Sequence, residues 1–395
     1  DAVTEIPEHV SWYNWWVRQE IEKQPEDIYS VLSEAQTEGN NSWIAIFNAV
    51  WRGVWIEAVK PDSSIDTIIA NLLALDLLRL KDDTDSRNAK DLIFAIIGWQ
   101  TMLYRPDTGS CPTNQLAIAD ETNEHRGQAH LSLQQSRTAS RKTLHEFLLG
   151  FGVMLPCRNF SALNSEEDRK ILTELYSIES ASFNAHLLVT VGRISINWTD
   201  SLACHLEFNE RSNTLYLFRY PSFCGIHCLS QEQRVLKTTI HSCAAPPTAD
   251  SLHWATSEDV DHLLGEILAT YRLLFGQNKA SRKLFRTLKP QPFEGLPEEG
   301  RDNSLLDICT KSSSHAPNRP SEKDRYILAS DFPIHRSRIA ILARFLSTKR
   351  PRTWKEIWND KRNSANWFTF WAVLIIGGLG ITLAFIQVVL QIIQI

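Results

Sequence analysis

The sequence predicts a mostly α-helical protein with one small antiparallel β-sheet, an α+β fold, followed by a single C-terminal transmembrane helix. Three observations predict it. Apolar residues recur at three- and four-residue spacing through most of the first hundred positions. Near the middle of the chain the period switches to two. At the end, the run Trp367–Leu390 contains no charged residue. As a helix rising about 1.5 Å per residue it reaches roughly 36 Å, enough for a hydrocarbon core of about 30 Å.

Residues 1–104 read as a helical domain. Trp12, Trp15, Trp16 and Ile21 mark a first amphipathic helix, and Pro25 and Gly39 bracket a second. Ile44, Phe47, Trp51, Val54, Trp55 and Ala58 form a helical stripe. Ser63–Asp66 is a capping pattern opening Thr67–Leu80, apolar nearly all round and so expected at the centre of the bundle. Leu92–Leu103 is a further buried helix. Residues 105–140 are polar and aperiodic, the signature of a loop or linker.

Residues 141–289 read as an α+β domain. A helix ends near Gly150, and Ser165 caps another. Ala185–Trp198 is rich in β-branched residues and predicts a strand. Ser201–Phe208 and Thr214–Tyr220 alternate around the turn Asn209–Asn213, a β-hairpin near 201–220. Thr256–Asp259 caps a long helix through Leu274. Five prolines between 290 and 325 predict a flexible tether, and residues 326–366 a set of basic juxtamembrane helices, one over roughly 334–347.

Charge sets the expected topology. His335–Arg362 holds nine basic residues and two acidic ones, +7, while the whole chain is −5 and nothing after Arg362 is charged. Residues 1–334 therefore carry −12. Positive charge beside a span stays on the cytosolic side, so the N-terminal domains are expected in the cytosol, with tail-anchored insertion. Trp354, Trp358, Lys361, Arg362, Trp367 and Trp371 are the expected membrane-interface residues. Gly378/Thr382 and Gly380/Ala384 are small-residue pairs that permit a homo-oligomer through the span. The bilayer is thus the expected partner, with a protein partner of unknown identity. The acidic bulk argues against nucleic acid.

Chemistry is sparsely marked. Seven cysteines read as reduced thiols. Cys224, Cys228, His241 and Cys243 bring zinc-type ligands together, but their spacing matches no common finger and ordinary packing is the preferred reading. His145–Glu146 and His205–Glu207 are pairs without a third partner and are read as structural. Lys279, Arg282, Lys283, Arg286 and Lys289 form a basic run with no acid from Gly276 to Lys289, either a solvated face or a contact for acidic lipid. No nucleophile elbow, P-loop, HExxH or kinase set is present, so no catalytic residue and no cofactor are assigned.

Four stretches together resemble an uncharacterised family of filamentous-fungal proteins with one C-terminal span: Asp200–Phe208, Thr214–Cys224, Trp354–Arg362 and Trp367–Gly378. The resemblance implies a membrane-anchored fungal protein and carries no activity or site residue with it. The expected function is a membrane-anchored, cytosol-facing scaffold or interaction protein. A membrane-bound enzyme of unrecognised type, or a module that touches acidic lipid, is the alternative.

Overall fold

The computed structural model describes residues 10–33, 42–60, 62–122, 127, 129–158, 170, 173, 175–228, 238–246, 254–312, 322–349 and 364–393. They are mostly helical, with small sheets and one long C-terminal apolar helix. One continuous cluster of buried apolar side chains runs from Val10 to Leu346.

Helix α1 (Ser11–Lys23) buries Trp12, Tyr13, Trp16 and Val17. The expected helix after Pro25 is only a 3-10 turn, Glu26–Tyr29, after which Leu32 bridges Leu78; residues 34–41 lie outside the described residues. In α2 (Ser42–Ala58) Phe47, Trp51, Val54 and Ala58 of the predicted stripe are buried and Trp55 is half-buried, while Ile44 at its head is exposed. In α3 (Ile65–Ala74) the cap falls at Ser64, whose Oγ accepts the Thr67 N–H at 3.1 Å. This helix is shorter and more peripheral than its composition predicts. It buries one stripe, Ile65, Ile68, Ile69 and Leu72, while Leu75 is exposed, and Asp76 adopts φ +52°. The central helix is instead α4 (Asp83–Thr101), in which every residue from Leu92 to Thr101 is buried.

The segment read as a polar linker contains a two-stranded antiparallel sheet, β1 (Gln115–Ala117) with β2 (Gln134–Ser136), and Leu116, Ile118, Ala129 and His130 within it are buried. Helix α5 (Leu144–Leu149) follows. β3 (Ser177–Glu179) pairs antiparallel with β7 (Arg325–Ile327).

The third sheet corrects two readings. Ala185–Thr190 is a helix, α6, capped by Asn184, and the strand is confined to β4 (Ser195–Thr199). The hairpin exists but is short. β5 (Phe208–Asn209) pairs antiparallel with β6 (Thr214–Phe218), whose other edge takes β4 in parallel. Ser201–Cys204 does not continue the ladder because its groups bond elsewhere, whereas Leu206 and Glu207 still exchange backbone bonds with Tyr216 of β6, at 2.8 and 2.9 Å. The Leu202 N–H donates to Met102 O at 2.7 Å and Ser201 Oγ to Leu103 O at 2.6 Å, both at the end of α4. Leu202–Cys204 winds into a 3-10 turn, and Leu206 adopts φ +62°.

Then come α7 (Pro221–His227), α8 (Thr239–Ser242) and α9 (Ser257–Tyr271). A capping box between Thr256 and Asp259 starts α9, as expected, and it runs into a π-helical turn, Arg272–Gly276. α10 (Lys279–Thr287) and α11 (Asn303–Thr310) follow. The described part of the proline-rich stretch is packed. Asp302 accepts the Ser222 N–H at 2.8 Å, Arg272 donates to Ile308 O and Lys311 O, and Leu305 and Cys309 are fully buried. α12 (Leu328–Asp331) and α13 (Arg336–Thr348) complete the packed part. α14 (Ser364–Ile393) contains Trp371–Ile392, long and apolar enough to cross a membrane, with none of it buried.

Candidate functional site

Ionisable groups concentrate where α9, the Ser201–Glu207 loop and the head of α13 meet. Glu266 and Thr270 lie one helical turn apart on α9 and both are buried. α13 has no side-chain cap of its own. Glu266 supplies it from across the fold, accepting the Ile334 N–H at 2.9 Å and the His335 N–H at 2.8 Å, with His335 Nδ1 3.0 Å away. A carboxyl there satisfies backbone donors at the head of the helix that would otherwise be orphaned.

His205 stands beside this cap, its ring edge-on to His335 at 5.5 Å. Its Nδ1 accepts the Phe218 N–H at 3.2 Å. Its Nε2 lies 2.8 Å from Thr270 Oγ1, whose own proton goes to Ile267 O. This network assigns the proton to Nε2 of a neutral ring. Arg338 closes the seam. It donates to Ala203 O and His205 O, and its Nη2 lies 2.7 Å from Glu207 Oε1, which also accepts the Ala129 N–H. His130 completes it, 3.7 Å from Cys204 Sγ.

Burial dominates the titration of these groups. It pushes the Glu266 carboxyl up to about 8, against the opposing pull of the Ile334 and His335 N–H groups and of His262. It lowers His130 to about 4, and lowers His205 and His335 well below their ordinary value. It raises the Cys204 thiol. Cys204 and His130 are therefore a neutral thiol and a neutral imidazole at neutral pH, not an activated nucleophile and its base.

An open cleft of about 250 Å³ lies on the outer side of Glu266, lined by Asp261, His262, Gly265, Ala269, Ser330 and Asp331 among others. That is below the roughly 300–1,000 Å³ of ordinary small-molecule pockets. His241 reaches its edge, with Nε2 3.1 Å from Asp261 Oδ1 and Nδ1 2.6 Å from Thr238 Oγ1.

The structure separates most of the residues singled out from sequence. Cys228 and His241 both approach Asp261, the first through its carbonyl at 3.7 Å. Cys224 and Cys243 sit in the apolar core, with the Cys243 thiol pushed up to about 12 by burial. Among the described residues no three His, Cys, Asp or Glu side chains are placed to hold one metal ion. His205 and Glu207 do not pair with each other; their partners are Thr270 and Arg338. His145 turns to Thr143 Oγ1. Arg338, counted among the juxtamembrane cations, is an internal ion-pair partner. Trp371 is half-buried at the head of the apolar segment. Trp354, Trp358, Lys361 and Arg362 lie outside the described residues, as does the side chain of Trp367.

A second buried network ties α1 to the rest. Arg105 lies 2.8 Å from Glu121 and 3.4 Å from Glu20, and Arg219 2.6 Å from Asp200. Asp200 also accepts from Trp16 Nε1, and Glu121 from Thr199 Oγ1. Sequence reading missed both networks, since their members stand far apart along the chain and no local motif joins them. Comparison of the chain with family models, curated proteins and solved structures found no match.

Proposed function

We propose that the chain is a single-pass membrane protein whose packed part faces the cytosol and serves as a scaffold or protein-interaction module. The carrying observation is Trp371–Ile392, a 22-residue apolar helix whose residues from Ala372 to Ile392 are all exposed. A core helix of that length would be covered by its own fold. The charge pattern supports the orientation even with Arg336 and Arg338 set aside, because Arg344–Arg362 still holds seven basic residues against two acidic ones. The resemblance to membrane-anchored fungal proteins is in keeping with this reading.

The interior supports an interaction role over catalysis. The titrating groups at the α9–α13 seam are engaged with one another, and both Glu266 oxygens already accept N–H groups. The competing reading, a membrane-bound enzyme, draws on Glu266, a carboxyl with a raised pKa at the wall of a cleft.

Topology is the deciding experiment. A glycosylation acceptor is added after Ile395 and the chain is made in the presence of microsomes. Modification of the tag, with Asn40, Asn159 and Asn197 untouched, is the expected result. Modification of those three instead would place the packed part in the lumen and end the cytosolic reading. Cross-linking in the native membrane that recovers no specific protein would remove the interaction role.

A further inference from the structure

Helix α10 presents a surface of one sign. From Gly276 to Lys289 there are five basic residues and no acid, in a chain whose net charge is −5. Lys279, Lys283, Arg286 and Lys289 are exposed, and among the described residues none of the four has a side-chain partner. Lys279, Lys283 and Arg286 follow one another at helical spacings of four and three and share one face. Arg282 turns inward to Gly276 O and Gln277 O.

The face is held rigidly. Asn278 caps the helix through the Ala280 and Ser281 N–H groups. On the underside Ser281 Oγ donates to Asn184 Oδ1 and accepts the His186 N–H, and Phe285 packs edge-on to Phe275 and Trp198. Its charge pattern is unfavourable in the isolated protein. Lys279–Lys283 is a like-charge pair at i, i+4, and Lys279 sits in the first turn, at the positive end of the helix dipole. No acid offsets either term, whereas a solvated helix face usually interleaves both signs. An external anionic surface relieves both.

We propose that this face rests on the acidic headgroups of the bilayer that α14 crosses, which orients the packed part on the membrane. The inference builds on the single-pass reading. Residues 350–363 join α13 to α14, and fully extended they reach at most about 50 Å, so the packed part stays near the leaflet and contact is intramolecular. A flat anionic leaflet meets only the cationic face. A long polyanion would also meet the remainder of the chain, which carries −10 once the five cations between Gly276 and Lys289 are set aside from −5.

The test uses the full chain in vesicles, with an environment-sensitive fluorescent amino acid at the exposed neutral position Thr287 and a quencher on the lipid headgroups. Phosphatidylcholine vesicles containing phosphatidylserine should quench the probe. Vesicles of phosphatidylcholine alone, or high salt, should not. Each cation removed should lower the docked-to-undocked ratio about fivefold, so K279E/K283E/R286E should abolish quenching. Equal quenching on both vesicle types, or quenching that survives the triple reversal, would overturn the proposal. So would absence of quenching together with binding to soluble polyglutamate, which would give the face to an acidic macromolecule. Flotation of the same vesicles after an alkaline wash keeps the two readings apart. A chain that floats without quenching retains its anchor and loses the docking face; a chain that does not float loses both.

Discussion

Arg338 Nη2 lies 2.7 Å from Glu207 Oε1, and both side chains are more than nine-tenths buried. The pair joins the head of α13 to the loop before β5, so the helix leading toward the membrane segment is fixed to the core by charge as well as by Ile339, Leu342 and Leu346. A cation that looks juxtamembrane in sequence is thereby an internal strut.

Removing one partner should be far worse than removing both. Arg338→Met strands the Glu207 carboxylate and should cost about 3–5 kcal/mol, whereas R338M/E207L should recover most of that loss. Urea unfolding of the detergent-solubilised chain, followed by tryptophan fluorescence, measures it. Equal midpoints for the wild type and Arg338→Met would show the pair to be dispensable.

Glu266 should make stability fall as pH rises. Its carboxyl titrates near 8 when folded and near 4.3 when unfolded, so the folded state holds the extra proton between those values. Stability from this group is complete below about 4.3 and declines by up to about 1.4 kcal/mol per pH unit toward 8. His205 and His335 act oppositely. Their folded values are depressed, so the unfolded chain takes protons first and stability is lost as pH falls below about 6.5. Glu266→Gln should be less stable in acid, where the amide N–H group opposes the Ile334 and His335 donors. It should also flatten the decline between pH 6.5 and 8. Unfolding free energies across that window, with parallel slopes for both proteins, would refute the assignment.

Gly300 tests whether the proline-rich stretch is clamped to α1. An added Cβ would stand 2.6 Å from the Trp15 ring, so Gly300→Ala must displace it and should cost about 1–3 kcal/mol. Gly109→Ala meets nothing within 4 Å and is the control. Equal urea midpoints for the two variants would mean that the clamp contributes nothing.

Thiol accessibility should divide the cysteines. Cys204, Cys224, Cys243 and Cys309 are buried with raised pKa values, and Cys111, Cys157 and Cys228 are half-buried. A thiol reagent should modify no more than those three in the native protein and all seven in denaturant. Fast modification of Cys204 would contradict its sealed position beside His130.

What the sequence by itself determined is what depends on neighbours within one or two turns. The stripe of α2, the Thr256–Asp259 cap of α9, the extent of α13 and the apolar run of α14 all follow from spacings of three and four residues. What only the tertiary structure decided depends on partners far along the chain. Ser201–Phe208 alternates as a strand should, yet Ser201 and Leu202 bond to the end of α4, about a hundred residues earlier, and Leu202–Cys204 winds into a turn, so only the end of the segment pairs with β6. The 290–325 stretch reads as a tether, but Ser222, Arg272 and Trp15 hold part of it in place. His205 and Glu207, two residues apart, find partners 65 and 131 positions away. Periodicity records which face of an element is apolar. It does not record which buried polar group must be satisfied by which other, and in this fold that requirement places the charged interior.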